Sequence, residues 1–208
     1  AGELKGPRQP QALAEIEAAF ANARAAWDWA VEQGQVDRLE QAMEALGLFC
    51  EWRVRYEEGQ AAFRAAAEAL AEAESDPPTE PVEALLALAS ALAWQALFAL
   101  VLGHAEQSQH CIQRSAVLLD DPALRGCDTR RQRILLLHKM GEAEWWAGSR
   151  RRTAEWYRQS LALCRTVGDE WGTARSLSSL AEALQSLGDF AEARQCAQEA
   201  LALRRELG

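Results

Sequence analysis

The chain has 208 residues and a formal charge of −9, from 22 Lys and Arg against 31 Asp and Glu. Hydrophobic residues make up 49% of it, enough to bury a substantial core, which excludes an intrinsically disordered chain. The negative balance argues against a surface that grips nucleic acid or anionic membrane over its whole extent. Ala and Leu outnumber β-branched residues, and Gly and Pro fall in a few clusters, so the composition reads as all-α.

The opening AGELKGPRQP is neither a signal peptide nor a natural start, and residues 1–9 read as a flexible, trimmed or foreign lead-in to an excised fragment. From 10 to 33 the spacing predicts one long helix, with Leu13, Ile16, Phe20, Trp27 and Val31 on a single face and Gly34 as its stop. Trp29 falls on the opposite side, either against a further neighbour or flat on the surface.

Residues 36–74 read as a first helix pair. Met43, Leu46, Gly47 and Cys50 set the stripe of its first helix, and Tyr56, Gly59, Phe63 and Ala66 that of its second. The segment ESDPPTEPVE then interrupts, since Pro77, Pro78 and Pro81 cannot continue a helix. A second pair spans 83–119. Its first helix, LLALASALAWQALFALVL, is the most apolar of the chain, and the flanking Glu83 with the embedded Ser90 and Gln95 favours a buried helix over a membrane span. Past DDPALRGCD a third pair covers 130–166, and a fourth, the most regular, covers 170–207.

In that last pair Leu177, Leu180, Ala181 and Leu184 precede Gly188 and Asp189, and Ala193, Ala197, Ala200 and Leu201 follow. Gly188 can close the first helix in the left-handed conformation and Asp189 can cap the second. Val54, Gly103, Gly148 and Gly188 fall at equivalent turns, 49, 45 and 40 residues apart, longer steps than the 34 of a short helical repeat. The pattern predicts a single α-α superhelix, a tetratricopeptide-like solenoid over 10–208 with about four helix pairs behind an N-terminal helix. Its final helix keeps an apolar stripe, so further repeats are expected to follow in the parent protein.

The segments EIEAAFANARAAWDWAVEQGQVDRL, RYEEGQAAFRAA, GDEWGTARSLSSLAEAL and LGDFAEARQCAQEALALRRELG resemble the C-terminal tetratricopeptide sensor regions of bacterial STAND-type signal-transducing NTPases. That group includes regulators similar to the maltose activator and the LuxR-like and SARP-like transcription factors. The resemblance implies that an upstream nucleotide-binding domain of the same parent chain does the switching while the repeats bind a protein, peptide or small-molecule effector. No GxxxxGK[ST] loop occurs in this chain, so any NTPase activity would belong to that upstream part.

No catalytic constellation is visible. His104, His110 and His138 are the only imidazoles, none is set beside a Ser or Cys as a nucleophile's base, and their spacing from Cys111 and Cys127 fits no common zinc pattern. No enzyme activity, metal or cofactor is therefore expected. The five cysteines, Cys50, Cys111, Cys127, Cys164 and Cys196, are scattered and odd in number, which suits buried thiols in a reducing cytoplasm.

In a tetratricopeptide pair the first helix lines the concave face. The register places Glu44, Leu48 and Trp52 there from the first pair, Leu97 from the second, His138, Glu142, Trp145 and Trp146 from the third, and Arg175 and Glu182 from the fourth. Aromatic surface ringed by charged groups suits stacking and a few hydrogen bonds to a partner. The other reading is that these tryptophans fill space between long helices. If the groove reading holds, Ala at Trp145 and Glu142 together should abolish binding without unfolding.

Between Arg125 and Arg165 there are ten Lys or Arg against four Asp or Glu. Arg150, Arg151 and Arg152 begin a helix, where the dipole disfavours cations, so they form a candidate anion or interface patch. Two alternatives to the sensor follow from this distribution: a scaffold that self-associates into a homo-oligomer, and, ranking below it, an RNA-binding helical repeat. No membrane partner is expected.

Overall fold

Helix is the only regular structure that the Ala- and Leu-rich sequence forms among the described residues of the computed structural model, 2–73 and 81–208. A 3₁₀ turn, Gly2–Lys5, leads into α1 (Gln9–Ala18) and α2 (Phe20–Glu32). Then come α3 (Val36–Trp52), α4 (Tyr56–Ala73), α5 (Pro81–Val101) and α6 (Ala105–Leu119). A second 3₁₀ turn, Pro122–Leu124, precedes α7 (Arg130–Trp146), α8 (Arg150–Val167), α9 (Glu170–Leu187) and α10 (Phe190–Leu207). Most of the proline-rich stretch 74–83 lies outside the described residues. Backbone proximity divides the chain into two compact units, Ala1–Thr129 and Arg130–Gly208.

The equivalent turn positions are real in the backbone. Gly103, Gly148 and Gly188 have φ of 85°, 82° and 86°, and Val54, their counterpart, is the one non-glycine with positive φ among the described residues, at 58°. A β-branched residue is strained in that region, where Cβ crowds the following carbonyl. Asp189 sits at the N-cap of α10 without a side-chain capping bond, whereas Asp169 accepts one from the Gly172 N–H at 2.9 Å.

Two expectations about the N-terminus change. Residues expected as a flexible lead-in are tied to the first unit: Leu4 is buried, Gln9 Nε2 donates to the Leu4 carbonyl at 3.0 Å, and Lys5 pairs with Glu44. The long helix over 10–33 breaks at Ala19, whose N–H is shared between the Glu15 and Ile16 carbonyls. The break sits just before Phe20, which stacks on Phe49 at 5.1 Å, while Trp27 is buried and donates from Nε1 to the Ala62 carbonyl at 3.1 Å. Nothing in the local sequence marks it, since neither Gly nor Pro is present. Trp29 lies at the surface under the Arg38 guanidinium.

The first unit is built around α5. Val82–Val101 is long and apolar enough to cross a membrane by composition, with mean hydropathy 2.1, yet 72% of that stretch is buried. Its cover comes from α3, α4 and α6. Trp94 and Phe98 on α5 join Phe63 of α4 in an aromatic cluster with centroids 5.8–6.3 Å apart. Gly47 on α3 makes room for it, because a Cβ there would stand 2.4 Å from the Trp94 ring. Buried Ser115 on α6 donates to the Ala89 carbonyl of α5 at 2.8 Å, which explains a serine where the repeat favours alanine.

In the second unit α7 packs on α8, α8 on α9, and α9 on α10. Its core holds Ala154, Tyr157 and Leu161 of α8, the α9 stripe Leu177, Leu180, Ala181 and Leu184, and Ala193, Cys196 and Ala200 of α10. The buried hydroxyls of Ser160 and Ser176 satisfy one another at 3.0 Å. On the outer side Arg158 pairs with Glu192 and Arg165 with Glu199, tying α8 to α10. Four of the five cysteines are buried and all are free.

Candidate functional site

The expected groove residues divide by unit, and those of the first unit do not gather into a site. Leu48, 1% exposed, and Leu97, 6% exposed, are core residues and correct the groove assignment. The cause is visible in their surroundings: Leu46–Cys50 and Ala91–Ala99 are buried without interruption, which a helix allows only when neighbours enclose it on every side. Glu44 is exposed but held by Lys5, and Trp52 is half-buried.

The second unit does assemble its residues. Glu142, Trp145 and Trp146 from the last turns of α7 meet Tyr157 of α8 and Ser179 and Glu182 of α9 around a cleft of about 210 Å³. Tyr157 reaches it because Gly141 offers no side chain: a Cβ there would stand 2.5 Å from the phenol ring. Neither Tyr157 nor Ser179 is among the residues that the repeat register places on the groove. The Gly141–Tyr157 pairing is the signal that would have found the first. Ser179 carries no sequence signal of its own.

Glu142 anchors the cleft from beneath. Its carboxylate stands 3.0 Å from Lys139 Nζ, 3.1 Å from His138 Nδ1 and 3.2 Å from an Arg175 guanidinium nitrogen. Lys139 is 1% exposed, a buried cation that the sequence reading overlooked although it lies one turn before Glu142. Burial alone would raise the Glu142 carboxyl, but Lys139, His138 and Arg175 outweigh it and hold the group far below the usual carboxylate range. Burial, then the Arg175 charge, pushes the His138 imidazole down from its ordinary value, so it is neutral at pH 7. Both ring nitrogens are buried, and Nδ1 is the one that faces the carboxylate. The ring is tilted against Tyr157 at 5.2 Å, and burial, with the Glu142 charge next, pushes the Tyr157 hydroxyl up.

His138, Glu142 and Arg175 are thus structural first: they join α7 to α9 through one desolvated cluster. The double change to Ala at Trp145 and Glu142 would not leave the fold intact, because it removes the buried carboxylate that Lys139, His138 and Arg175 all face. Trp146, 67% exposed, and the exposed Glu182 are the groove residues with free surface.

The three arginines do not form one patch. Arg150 lies over the Trp145 ring, 3.7 Å from its centroid, and donates to the Trp145 carbonyl. Arg152 pairs with Glu144 at 3.2 Å. Arg151 is exposed on the surface. A cation on an aromatic face and a carbonyl explains why arginine is tolerated at this helix start.

Residues 132–206, the helices that form this cleft, match the tetratricopeptide repeat family. Over 60 residues, 29% of this chain, the sequence is 35% identical to G-protein-signaling modulator 1 of Homo sapiens, and spans 9% of that protein's length. Among solved structures it is similar to BtubC (BKLC) from P. vanneervenii, at 16% identity and a TM-score of 0.66, over 91% of this chain and 75% of that one. These likenesses agree with the helix pairs in giving the fold class as an α-α superhelix, with a tetratricopeptide-type segment in its second unit. Tetratricopeptide repeats are in general protein-interaction modules.

Proposed function

We propose that the chain is a non-catalytic recognition module that binds a protein or peptide partner in the α7–α9 cleft. The observation that carries this reading is the pairing of free surface with a rigid base: Trp146 and Glu182 are exposed at a cleft whose floor is locked by the Glu142 cluster. A preorganised concavity with aromatic walls loses little entropy when it is filled. The parent would be a cytoplasmic bacterial STAND-type NTPase or transcription regulator whose upstream nucleotide-binding domain responds to occupancy of the repeats. Support for that context comes from the sequence resemblance, and support for a reducing compartment from buried, unpaired thiols. Signal would pass as a difference in affinity between two arrangements of the repeats.

The experiment is selection of short random peptides displayed on phage against the purified 208-residue chain. Selected peptides are expected to lose binding to a Trp146→Ala, Glu182→Gln double variant whose urea midpoint is unchanged. Failure to select any peptide, or selection indifferent to that variant, would overturn the reading.

A further inference from the structure

We propose that the cleft selects a cationic side chain, an arginine or lysine of the partner, with Glu182 as its counter-charge. This rests on the peptide-binding reading above and assigns its chemistry. The charged groups lining the cleft are two carboxylates, Glu142 and Glu182, and among the described residues no cation lines it. Of the neighbouring cations, Lys139 and Arg175 face Glu142, Arg150 covers the face and carbonyl of Trp145, and Arg152 pairs with Glu144, while Arg194 and Arg204 line the adjoining α9–α10 groove that Glu182 also borders. Glu142 is therefore compensated from behind, while the exposed Glu182 carboxylate lies outside that cluster.

The walls favour the same ligand. Trp145, Trp146 and Tyr157 present three aromatic rings, and a cation between ring faces and a carboxylate gains from both. The chain already shows that geometry once, where Arg150 covers Trp145. That face of Trp145 is occupied, so the incoming cation meets the exposed Trp146 ring, with Ser179 as a neutral hydrogen-bonding partner. A volume of about 210 Å³ accommodates the head of one long side chain rather than a helix. An anionic partner would meet two carboxylates and no lining donor of positive charge.

The test uses peptides from the phage selection, resynthesised with each Arg changed to citrulline or each Lys to acetyl-lysine, and titrated by calorimetry. The selected peptides should share an Arg or Lys. Neutralising it should weaken binding about tenfold or more, as should Glu182→Gln, and the two losses should not add, because each removes the same contact. Peptides that bind through Trp146 yet tolerate citrulline would overturn the cationic assignment and leave the peptide-binding reading standing. Peptides whose binding ignores Trp146→Ala, or no selected peptide at all, would overturn both. The urea midpoint of Glu182→Gln should equal that of the parent chain, since the residue is exposed and outside the Glu142 cluster.

Discussion

Val54 shows most plainly what one residue discloses. Its position in the repeat register, level with three glycines, predicts a left-handed backbone, and the structure gives it φ of 58° while leaving its side chain 67% exposed. The strain of a β-branched residue there costs about 1–2 kcal/mol, and glycine's greater freedom in the unfolded chain returns part of that. Val54→Gly should therefore stabilise the protein by about 1 kcal/mol, read as a higher urea midpoint at unchanged m-value. Glu142 teaches the opposite lesson. Helical spacing placed it on the groove, but spacing does not say which polar residue on that edge is sealed beneath a neighbour, and Lys139 carried no outward mark of burial. Glu142→Ala should cost about 3–5 kcal/mol by removing the carboxylate that Lys139, His138 and Arg175 face, and adding Lys139→Met should recover part of the loss because one of those buried charges goes with it. A denaturation series on the two single variants and the double decides this.

At the scale of elements, the helices were legible wherever punctuation accompanied the stripe. Gly34, Gly103, Gly148 and Gly188 each fall where a helix ends, and the α9–α10 pair appears as its alternation of Leu and Ala predicts, apart from the exposed Ala197 and Leu201. The break between α1 and α2 was not legible, because it answers to where Phe20 and Trp27 must reach rather than to any helix breaker at Ala19. Leu48 and Leu97 were misassigned for a related reason: periodicity locates one face, but an enclosed helix has no free face to locate. The α7–α9 link also carries a pH dependence. In the unfolded chain His138 takes up a proton near its ordinary value of 6.5, while burial among Arg175, Lys139 and Tyr157 keeps the folded imidazole neutral to lower pH. Protons thus favour unfolding, and stability present above pH 6.5 is lost as pH falls through the window below it. Glu142, with its folded value depressed, adds a further loss once pH passes below its ordinary 4.5. Urea midpoints from pH 8 to 4 should fall in both windows for the parent chain, and His138→Phe should flatten the upper one.

For the molecule as a whole, charge decides what association to expect. The basic stretch 125–165 first reads as a partner for the acidic remainder of another copy, but Arg150 and Arg152 are engaged within the chain. Light scattering should therefore give the mass of a single chain at low and high salt alike. A species that dissolves as salt rises would implicate Arg151. One that persists would implicate the apolar edge of α10, where Phe190 and Leu201 are exposed beside an α9–α10 groove of about 440 Å³.

The burial of α5 has a consequence for how the protein is made. Val82–Val101 is long and apolar enough to cross a bilayer by length and composition alone, and in the fold its neighbours bury most of it. Two of them, α3 and α4, precede it in the chain and can be waiting, already helical, when it leaves the ribosome, while α6 closes over it next. A circular permutant starting at residue 81 would present the same helix first and uncovered, to be claimed by membrane or aggregate before its cover is synthesised.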